Sequence, residues 1–455
     1  MTQLACFKAY DIRGSVPDEL NVELVYKIGI AYAIEMKTTK VIVGYDGRLE
    51  SPEIVDALIK GLNSQNVEVI NIGLCGTEEV YFHTFHQEKN GVDGGIMVTA
   101  SHNPKGYNGL KMVSKGAYPI SGDTGLKCIH DRVISMDSGP FLSLQAHNSS
   151  VEDYNKEEYI KHLLSYVDRK ALKALKIVVN PGNGTAGLAL KELEKHLPFE
   201  FIYLHENVDG TFPNGIPNPL LPENRASTQN AVQKHKADFG IAWDGDFDRC
   251  FFFDENARFI EGYYIVGLLA QAFLQKHKGA TIIHDPRLIW NTIDITNTLG
   301  GKAIQSKTGH SFIKQIMRQE DAVYGGEMSA HHYFKDFAYC DSGMIPWLLV
   351  SELISIKNTP LSKMVDACIA AYPCSGEINY TVVDTKKTLD KIRKYFIPLN
   401  PIVDTQDGLS MSFVDWRFNV RASNTEPLLR LNIEAKNNIK RVQEKVLEIE
   451  QLIKG

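Results

Sequence analysis

The chain alternates short apolar runs with stretches of helical periodicity over most of its length. Near the amino end, apolar runs at 40–45, 67–72 and 95–99 are separated by helical patterns that begin near Ser51 and Thr77. Strand, helix and strand joined by short polar connections are typical of a parallel sheet flanked by helices. Such strands are buried on both faces and therefore appear as continuous runs. The pattern predicts an α/β unit.

The same rhythm restarts twice further along the chain. Apolar runs at 176–180 and 240–243 predict strands of a second unit. Runs at 281–284, 302–305 and 322–324 predict three strands of a third unit, again separated by helical patterns. We therefore expect three related α/β units in succession.

The pattern changes after about Leu361. An amphipathic helix is followed by predicted strands at 377–383, 411–420 and 428–435, and a last helix is expected from about Ile439. This order indicates a smaller α+β unit that differs from the three before it. The 455 residues agree with two to four domains at roughly 100–200 residues each. A Gly-, Pro-, Ser- and Asn-containing stretch at 137–155 predicts a linker after the first unit.

Composition narrows the class of protein. Hydrophobic residues make up 44% and charged residues 23%, which excludes disorder, collagen and coiled coil for the whole chain. With 49 Lys and Arg against 55 Asp and Glu, the net charge of −6 does not favour binding to nucleic acid. We see no signal peptide and no apolar run near the ~20 residues of a membrane span. Seven scattered cysteines without paired spacing predict a reduced, cytoplasmic protein.

The segment around Ser101 follows a predicted strand and is expected at the carboxyl edge of a sheet. Open α/β sheets bind ligands at that edge. Ser101 is flanked by His102 and Asn103, and Lys111 follows ten residues later. This combination is typical of a nucleophile beside a cation. A polar turn remains an alternative, because Ser, His, Asn and Pro are good turn residues.

An acidic loop follows the predicted strand at 240–243. Asp244, Asp246 and Asp248 alternate along it, and carboxylates crowded in this way repel one another unless a cation neutralises them. Hard oxygen ligands favour Mg²⁺ or Ca²⁺. Because the next residues are an apolar run, we reject an EF-hand and a solvated acidic turn is a poor explanation. The loop predicts a metal site.

Two segments of the third unit, around His310 and His331, are expected at strand-to-helix junctions. Glu327 and Ser329 in the second of them are suited to binding adjacent sugar hydroxyls. Either histidine is suited to proton transfer near neutral pH. The alternative is that the histidines are structural.

The loop at 421–426 lies between two predicted strands of the last unit. It offers Arg, Ser, Asn and Thr side chains together with backbone N–H groups, a dense set of donors for a phosphate. A hairpin turn is the alternative, although a hairpin does not require Arg421.

A final cluster lies at the amino end. Lys8, Tyr10, Asp11 and Arg13 fall within a few residues of one another. Chain termini are commonly plain, so a basic and aromatic cluster there predicts part of a binding site.

Taken together, these motifs resemble the α-D-phosphohexomutase superfamily over essentially the whole chain. T-A-S-H-N-P, D-G-D-F-D-R, G-E-M-S and R-x-S-N-T occur in the family's order and at its spacing. Further segments resemble the bacterial members that interconvert mannose 6-phosphate and α-mannose 1-phosphate for GDP-mannose synthesis. They are 6–13, 215–221, 283–288 and 325–334.

The resemblance implies a fold and a division into domains. The fold class is α/β, with three related α/β domains with mixed sheets plus a C-terminal α+β domain, arranged around a central cleft. We expect a phosphoserine domain, a metal-binding domain, a sugar-binding domain and a phosphate-binding domain, at 1–147, 148–250, 251–362 and 363–455 respectively.

The resemblance also implies roles for individual residues. Ser101 carries a phosphoryl group, and that group together with Asp244, Asp246 and Asp248 binds Mg²⁺. Residues expected around the transferring group are Arg13, Lys111, Arg249, His310 and His331, with Lys111 and His310 as candidates for proton transfer. Residues expected to bind substrate are Tyr10, Arg287, Gly309, Glu327, Ser329, Arg421, Ser423, Asn424 and Thr425.

The implied reaction passes through a hexose 1,6-bisphosphate, which also acts as activator. The implied partners are hexose phosphates, without nucleic acid or membrane, and the protein is expected to be a monomer or a homodimer. Two positions depart from the family's pattern. Arg287 stands where many members have Lys, and its planar fork is expected to contact phosphate or hydroxyl differently. Ala330 stands where Gly is common, and its methyl group near the sugar bears on selectivity.

Activity on both mannose and glucose phosphates stays open, because the 3- and 4-hydroxyls are common to both sugars. A phosphatase, in which water accepts the Ser101 phosphoryl group, and an inactive sugar-phosphate sensor are further alternatives. The intact Ser101 and acidic loop argue against the sensor.

Overall fold

The computed structural model describes residues 4–136, 156–422 and 428–454. The chain forms two compact units. The first comprises Met1–Phe259 with Asp336–Lys357, and the second comprises Ile260–Lys335 with Asn358–Gly455. Within the described ranges, no helix combines the length and apolar character that a membrane span requires. The predicted linker at 137–155 lies outside the described residues.

The strands and helices follow the predicted rhythm. The strands are β1 Ile12–Ser15, β2 Lys40–Tyr45, β3 Glu68–Leu74, β4 Gly94–Val98, β5 Tyr107–Ser114, β6 Tyr118–Pro119, β7 Lys176–Asn180, β8 Glu200–Tyr203, β9 Phe239–Trp243, β10 Cys250–Asp254, β11 Phe259–Ile260, β12 Thr281–His284, β13 Lys302–Gln305, β14 Tyr324–Gly326, β15 His332–Phe334, β16 Cys340–Asp341, β17 Cys374–Thr381, β18 Ile402–Asp404, β19 Leu409–Ser412, β20 Trp416–Ala422 and β21 Leu428–Ala435. The helices are α1 Val22–Met36, α2 Ser51–Asn63, α3 Thr77–His86, α4 Lys127–Ser135, α5 Glu157–Leu164, α6 Ala186–Glu194, α7 Ala226–His235, α8 Gly262–Lys276, α9 Trp290–Thr298, α10 His310–Gln319, α11 Ile345–Lys357, α12 Leu361–Ala371, α13 Thr385–Phe396 and α14 Ile439–Lys454.

One strand order is used repeatedly along the chain. In the first sheet β3, β2 and β4 are parallel, and β5 then pairs antiparallel with β4. The second sheet has the same arrangement in β8, β7, β9 and β10. The third has it in β13, β12, β14 and β15. The common order confirms three related α/β domains with mixed sheets.

The last sheet is built differently. Its order is β17-β21-β20-β19-β18, and each neighbouring pair is antiparallel. Helices α13 and α14 contribute Phe396 and Ile449 to one apolar core with strand residues such as Phe418 and Leu431. The sheet with its helices confirms the closing α+β domain.

Two helices of the first sheet pack unusually close because glycines meet. The Cα atom of Gly61 in α2 lies 3.2 Å from the position that a Cβ on Gly29 of α1 would occupy. A Cβ on Gly61 would lie 2.2 Å from the carbonyl oxygen of Tyr26, a clash that backbone cannot relieve. This close approach lets the buried faces of both helices share a core with β2 and β4.

Three local predictions were wrong. The run at 411–420 is not one strand but a hairpin, in which the Phe413 N–H donates to the Trp416 carbonyl and Val414 at the turn is exposed. The strand expected at 322–324 is instead β14, which begins at Tyr324. The segment around His331 connects β14 to its antiparallel neighbour β15, and so it does not lead into a helix.

Candidate functional site

The three sequence motifs of the α/β domains occupy equivalent places in the repeated fold. Ser101 lies in the loop between β4 and β5, Asp244 begins the loop between β9 and β10, and Glu327 begins the loop between β14 and β15. In each sheet this loop joins the last parallel strand to its antiparallel neighbour. The carboxyl edge of an open α/β sheet is a usual place for ligands. The repeated fold thus presents three polar loops in the same way.

Ser101 is buried and held in an unusual backbone conformation. Its φ of 50° lies in the left-handed region, which residues other than glycine rarely adopt. Its N–H donates to Thr99 Oγ1 at 2.8 Å, and its hydroxyl donates to Asp244 Oδ2 at 2.7 Å. His102 Nδ1 lies 3.1 Å from the same hydroxyl oxygen. Strain of this kind is concentrated at functional sites, where the surroundings fix one conformation.

Arg48 holds the Ser101 loop through its backbone. The guanidinium is buried and donates to four carbonyl oxygens at 2.7–3.0 Å, those of Ser101, Asn103, Pro104 and Tyr107. Its Nε lies 3.3 Å from Asp46, whose carboxylate also accepts from the hydroxyls of Ser51 and Thr99. The planar fork of arginine suits several acceptors at once. Arg48 therefore shapes the loop that presents Ser101.

The acidic loop forms a buried carboxylate cluster. Asp244, Asp246 and Asp248 each place an oxygen within 4.8 Å of the others. Burial, opposed by Arg249 and supported by the neighbouring carboxylates, raises the pKa of Asp244 to about 7. Asp246 Oδ1 is buried and has no hydrogen-bond partner within the described part of the chain. Three hard oxygen donors, one of them unpartnered, fit Mg²⁺ or a similar cation.

Two cations lie against this cluster. Lys111 Nζ donates to Asp246 at 2.6 Å and also contacts Asp248. Burial lowers the pKa of Lys111, but the nearby carboxylates outweigh burial and hold the pKa above its ordinary value. Arg249 donates through Nε and Nη2 to Asp244 Oδ2 at 2.9 and 2.7 Å. Lys111 is therefore charged in this setting. Its expected role in proton transfer stays a prediction.

Arg249 also reaches the side chain of Ser101. Its Nη2 lies 3.3 Å from the Ser101 hydroxyl oxygen and donates to His102 Nδ1. Burial together with Arg249 and Arg13 lowers the pKa of His102 well below its ordinary value, so the imidazole is neutral. The Ser101 hydroxyl thus lies beside a fixed positive charge.

Arg13 and Tyr10 belong to the amino-terminal cluster. Arg13 donates to Asn103 Oδ1 at 2.8 Å and pairs with Asp11 at 2.6 Å. Strand β1, which contains Arg13, pairs with β5, which contains Lys111. Tyr10 is half-buried in the bend that precedes β1. The structure therefore brings Arg13 to the Ser101 loop.

A second polar cluster surrounds Glu327 in the other compact unit. Glu327 Oε2 accepts from the Tyr333 hydroxyl at 2.6 Å and lies 3.4 Å from His331 Nδ1, while Oε1 accepts from the Gly309 N–H at 3.0 Å. His331 Nδ1 also lies 3.4 Å from the Ser329 hydroxyl. The structure thus brings together four predicted residues, Gly309, Glu327, Ser329 and His331. His310 begins helix α10 immediately after Gly309.

Arg287 joins this cluster to a group of arginines. It donates to Asp285 at 2.8 Å and to Ser329 at 3.2 Å, and it lies 3.6 Å from Glu327. Its pKa is above the ordinary value, because nearby carboxylates led by Asp285 outweigh burial. Arg287 is thus fixed by protein partners, and direct contact with substrate remains a prediction.

Glu377 is the counter-ion shared by three arginines. It lies 3.5 Å from Arg287, 3.7 Å from Arg421 and 3.7 Å from Arg430. Burial, then Arg287, lowers the pKa of Arg421 despite Glu377. The predicted phosphate-binding residues Ser423, Asn424 and Thr425 lie outside the described residues.

Sequence reasoning missed Arg48 and Glu377. The segment 46–48 directly follows the apolar strand β2. The Ser101 and Asp244 loops were chosen as candidates because they also follow apolar strands, so the same criterion could have identified Arg48. Glu377 had none, because β17 gives no sign of which residues its side chains meet.

Models of the phosphoglucomutase/phosphomannomutase family match the chain from end to end. The models of the family's alpha/beta/alpha domains I, II and III match residues 5–138, 157–258 and 261–372. The model of the family's C-terminal domain matches residues 377–450. A Xanthomonas campestris protein described as phosphohexose mutases is 54% identical over 99% of this chain and its own whole length. An Escherichia coli phosphomannomutase is 54% identical over the whole of both chains.

Solved structures give the same result. A phosphoglucomutase/phosphomannomutase family protein from Burkholderia thailandensis superposes with a TM-score of 0.86 at 31% identity, covering 100% of this chain and 98% of its own. Full-length identity of this size, four successive domain matches and a shared fold leave one assignment. The chain belongs to the phosphoglucomutase/phosphomannomutase family, the α-D-phosphohexomutases whose motifs it carries.

Proposed function

We propose that this protein is a phosphomannomutase, which interconverts D-mannose 6-phosphate and α-D-mannose 1-phosphate. The observation that carries the proposal is the contact between the Ser101 hydroxyl and the Asp244 carboxylate. It places a strained, buried nucleophile against a carboxylate cluster fit for a cation. The full-length similarity to Escherichia coli phosphomannomutase supports mannose phosphates as substrates. The product would supply GDP-mannose synthesis.

The proposed reaction transfers a phosphoryl group twice. In the resting enzyme Ser101 Oγ carries the group. The P–O bond to Ser101 breaks as a sugar hydroxyl forms a new P–O bond; the hydroxyl proton passes to a base, and Ser101 Oγ takes up a proton, which it gives up again in the second transfer. The hexose 1,6-bisphosphate then returns its other phosphoryl group to Ser101, so hexose monophosphate leaves and the enzyme is restored. The bisphosphate therefore also primes an enzyme that has lost its phosphoryl group.

Fixed charges of the chain suit this transfer. Arg249 Nη2 lies 3.3 Å from Ser101 Oγ, and Lys111 lies on the adjacent carboxylates. Preorganised cations stabilise charge that develops on phosphoryl oxygens. Both cations are paired with carboxylates, Arg249 with Asp244 and Lys111 with Asp246 and Asp248. Arg249 is the better placed of the two, because its Nη2 also lies 3.3 Å from Ser101 Oγ.

The carboxylate cluster would hold the metal. Asp244, Asp246 and Asp248 would bind Mg²⁺ together with the Ser101 phosphoryl group, and the unpartnered Asp246 Oδ1 fits this role. Bound Mg²⁺ neutralises phosphoryl charge. A fungal N-acetylphosphoglucosamine mutase structure contains GlcNAc-6P and magnesium, and its likeness to this chain is one of fold.

The second polar cluster would bind the sugar phosphate. Glu327 and Ser329 offer an acceptor and a hydroxyl for the 3- and 4-hydroxyls, and Arg421 offers a cation for the phosphate that does not react. Ser423, Asn424 and Thr425 would add donors to the same phosphate. We propose the four domains 1–147, 148–250, 251–362 and 363–455 as the phosphoserine, metal, sugar and phosphate domains. The four successive family matches support the number and order of these domains, and the second and third matches extend to residues 258 and 372.

The test compares mannose 1-phosphate and glucose 1-phosphate in parallel, with Mg²⁺ and a catalytic amount of hexose 1,6-bisphosphate. Conversion of mannose 1-phosphate to the 6-phosphate without accumulation of free phosphate is the expected result. Release of inorganic phosphate at the rate of substrate loss would make the protein a phosphatase. No turnover with either sugar would contradict the proposal.

Selectivity between the two sugars is the remaining alternative within this function. The residues proposed for sugar binding address the 3- and 4-hydroxyls, which mannose and glucose share. Comparable kcat/KM values would identify an enzyme of dual specificity. A preference for mannose would require a residue that recognises the hydroxyl at C2.

A further inference from the structure

Thr77, the first residue of helix α3, contacts the acidic loop directly. Its hydroxyl donates to Asp246 Oδ2 at 2.6 Å, and its backbone N–H donates to the Asp246 carbonyl at 3.1 Å. Thr77 is fully buried. Both residues belong to the same compact unit. One threonine thus fixes both the main chain and the side chain of a carboxylate in the cluster.

The two oxygens of Asp246 are treated unequally. Oδ2 accepts from the Thr77 hydroxyl and, at 2.6 Å, from Lys111 Nζ. Oδ1 is buried without a hydrogen-bond partner among the described residues. A buried carboxylate oxygen normally finds a donor, so an unpartnered one calls for another ligand. The two donors on Oδ2, Thr77 and Lys111, set the rotation of the carboxylate. In that rotation Oδ1 remains available for a ligand.

The residue before Thr77 holds the same loop by packing. A Cβ on Gly76 would lie 2.1 Å from the ring of Phe247, so only glycine allows this approach. Phe247 is fully buried and has a φ of 45°, in the left-handed region. The loop therefore keeps an unfavourable backbone conformation with its aromatic ring pressed against the start of α3.

The residue after Thr77 anchors the start of α3 on its other side. Glu78 accepts from the N–H groups of Gly343 and Met344 at 2.6 and 3.1 Å, and from the hydroxyls of Ser342 and Tyr159 at 2.9 and 2.6 Å. A buried side chain that accepts four hydrogen bonds restricts movement of the helix start. Thr77 is consequently carried on a rigid support.

We propose that Thr77 is a positioning residue of the metal site: its hydroxyl orients Asp246 so that Oδ1 is presented to the cation. The inference rests on the proposed metal-binding role of the acidic loop. Groups that orient metal ligands commonly contribute 10–100-fold to metal affinity. Thr77 itself does not touch the cation.

The test measures Mg²⁺ and Mn²⁺ binding to the full-length protein by isothermal titration calorimetry, without substrate. Thr77→Val removes the hydroxyl at nearly constant volume, and it should weaken metal binding about 10-fold or more. Thr77→Ser restores a hydroxyl and should recover most of the affinity. Thr84→Val is the matched control, because Thr84 is a buried threonine of the same helix whose hydroxyl donates to the Val80 carbonyl.

Asp246→Asn separates the two levels of the proposal. If the wild-type protein binds no metal, or Asp246→Asn binds as well as wild type, the metal site itself is wrong. If Asp246→Asn loses binding while Thr77→Val keeps it, the role of Thr77 is wrong. An equal loss in Thr84→Val would also overturn the inference.

Thermal unfolding of the metal-free variants guards against a general loss of fold. Thr77→Val should melt close to wild type, so that weaker binding is a property of the site. If Thr77→Val does not fold, Thr77→Ala removes the hydroxyl without adding bulk and replaces it in the titration. Failure of both to fold would make Thr77 a folding residue and overturn the proposal.

Discussion

The hydroxyl of Ser101 donates a hydrogen bond of 2.7 Å to Oδ2 of Asp244, although 143 positions separate the two residues in the sequence. The bond joins the loop after β4 to the loop after β9, the equivalent loops of the first two α/β domains. Ser101 and the carboxylate cluster therefore form one site. The expected consequences of this arrangement can be measured residue by residue.

Replacing Ser101 with Ala should abolish more than ~99% of turnover, because the group that accepts the phosphoryl is removed. The mutase rate with Mg²⁺ and hexose 1,6-bisphosphate measures this, and mass spectrometry should find no phosphoryl group on the variant protein. Ser64→Ala, on the surface end of α2, serves as control. Substantial turnover by Ser101→Ala would contradict a phosphoserine mechanism.

Replacing Arg48 with Lys should disturb the Ser101 loop, because the bonds that are lost join Arg48 to the backbone of that loop. A single ammonium cannot satisfy four carbonyl acceptors, so unfolding free energy should fall by about 2–4 kcal/mol. We expect kcat to fall roughly 10–100-fold from misplacement of Ser101, with KM little changed. Urea denaturation and steady-state kinetics check these values. Arg132→Lys, on the outer helix α4, is the control, and an unchanged kcat in Arg48→Lys would refute the role.

Replacing Glu377 with Gln should tighten binding of hexose phosphates while destabilising the protein. The carboxylate lies 3.5–3.7 Å from Arg287, Arg421 and Arg430, and under the proposed phosphate-binding role of Arg421 it would compete with the phosphate for their charge. KM should fall several-fold, and the melting temperature should fall because three cations lose a carboxylate that they share, although Arg287 keeps Asp285. Arg421→Ala should change KM in the opposite direction. A higher KM in Glu377→Gln would show that the carboxylate mainly positions the arginines.

Glu78 should make stability depend on pH. Burial raises its pKa to about 8, against the hydrogen bonds that it accepts. Between its ordinary pKa and about 8, the folded protein binds a proton at Glu78 that the unfolded chain does not. This contribution to stability is therefore greatest at low pH and declines as pH rises, by about 1.4 kcal/mol per pH unit between the two pKa values.

Glu78→Gln removes that contribution and keeps the shape of the side chain. Relative to the variant, the wild-type protein should lose stability progressively from about pH 5 to about pH 8. Urea denaturation at several pH values measures the difference, with Glu88→Gln, on an exposed turn, as control. A difference that does not vary with pH would mean that Glu78 keeps its charge in the folded protein.

Much of the fold was predictable from local pattern. Strands β2, β7, β12, β13 and β21 have the bounds expected from their apolar runs. Buried strands of α/β sheets are apolar on both faces, so each one is visible in the sequence as a run of consecutive apolar residues. The hairpin between β19 and β20 was missed because its turn includes the apolar Val414, which periodicity alone assigns to a strand.

Some residues of the candidate site could likewise be predicted from local sequence, and others could not. Ser101 and the three aspartates were found because each loop follows an apolar strand and concentrates one kind of chemistry. Arg48, Thr77 and Glu377 were not found, since their importance lies in the partners that they meet.

Most strands and helices, the family resemblance and the chemical character of each loop could be inferred from the amino-acid sequence, because burial and reactivity of those segments depend on neighbouring residues in the chain. The contacts of Ser101 with Asp244 and of Thr77 with Asp246, and the place of Glu377 among three arginines, became evident from the packed fold. These contacts join residues far apart in sequence. Their distances follow from how the sheets and helices pack, which no local pattern specifies.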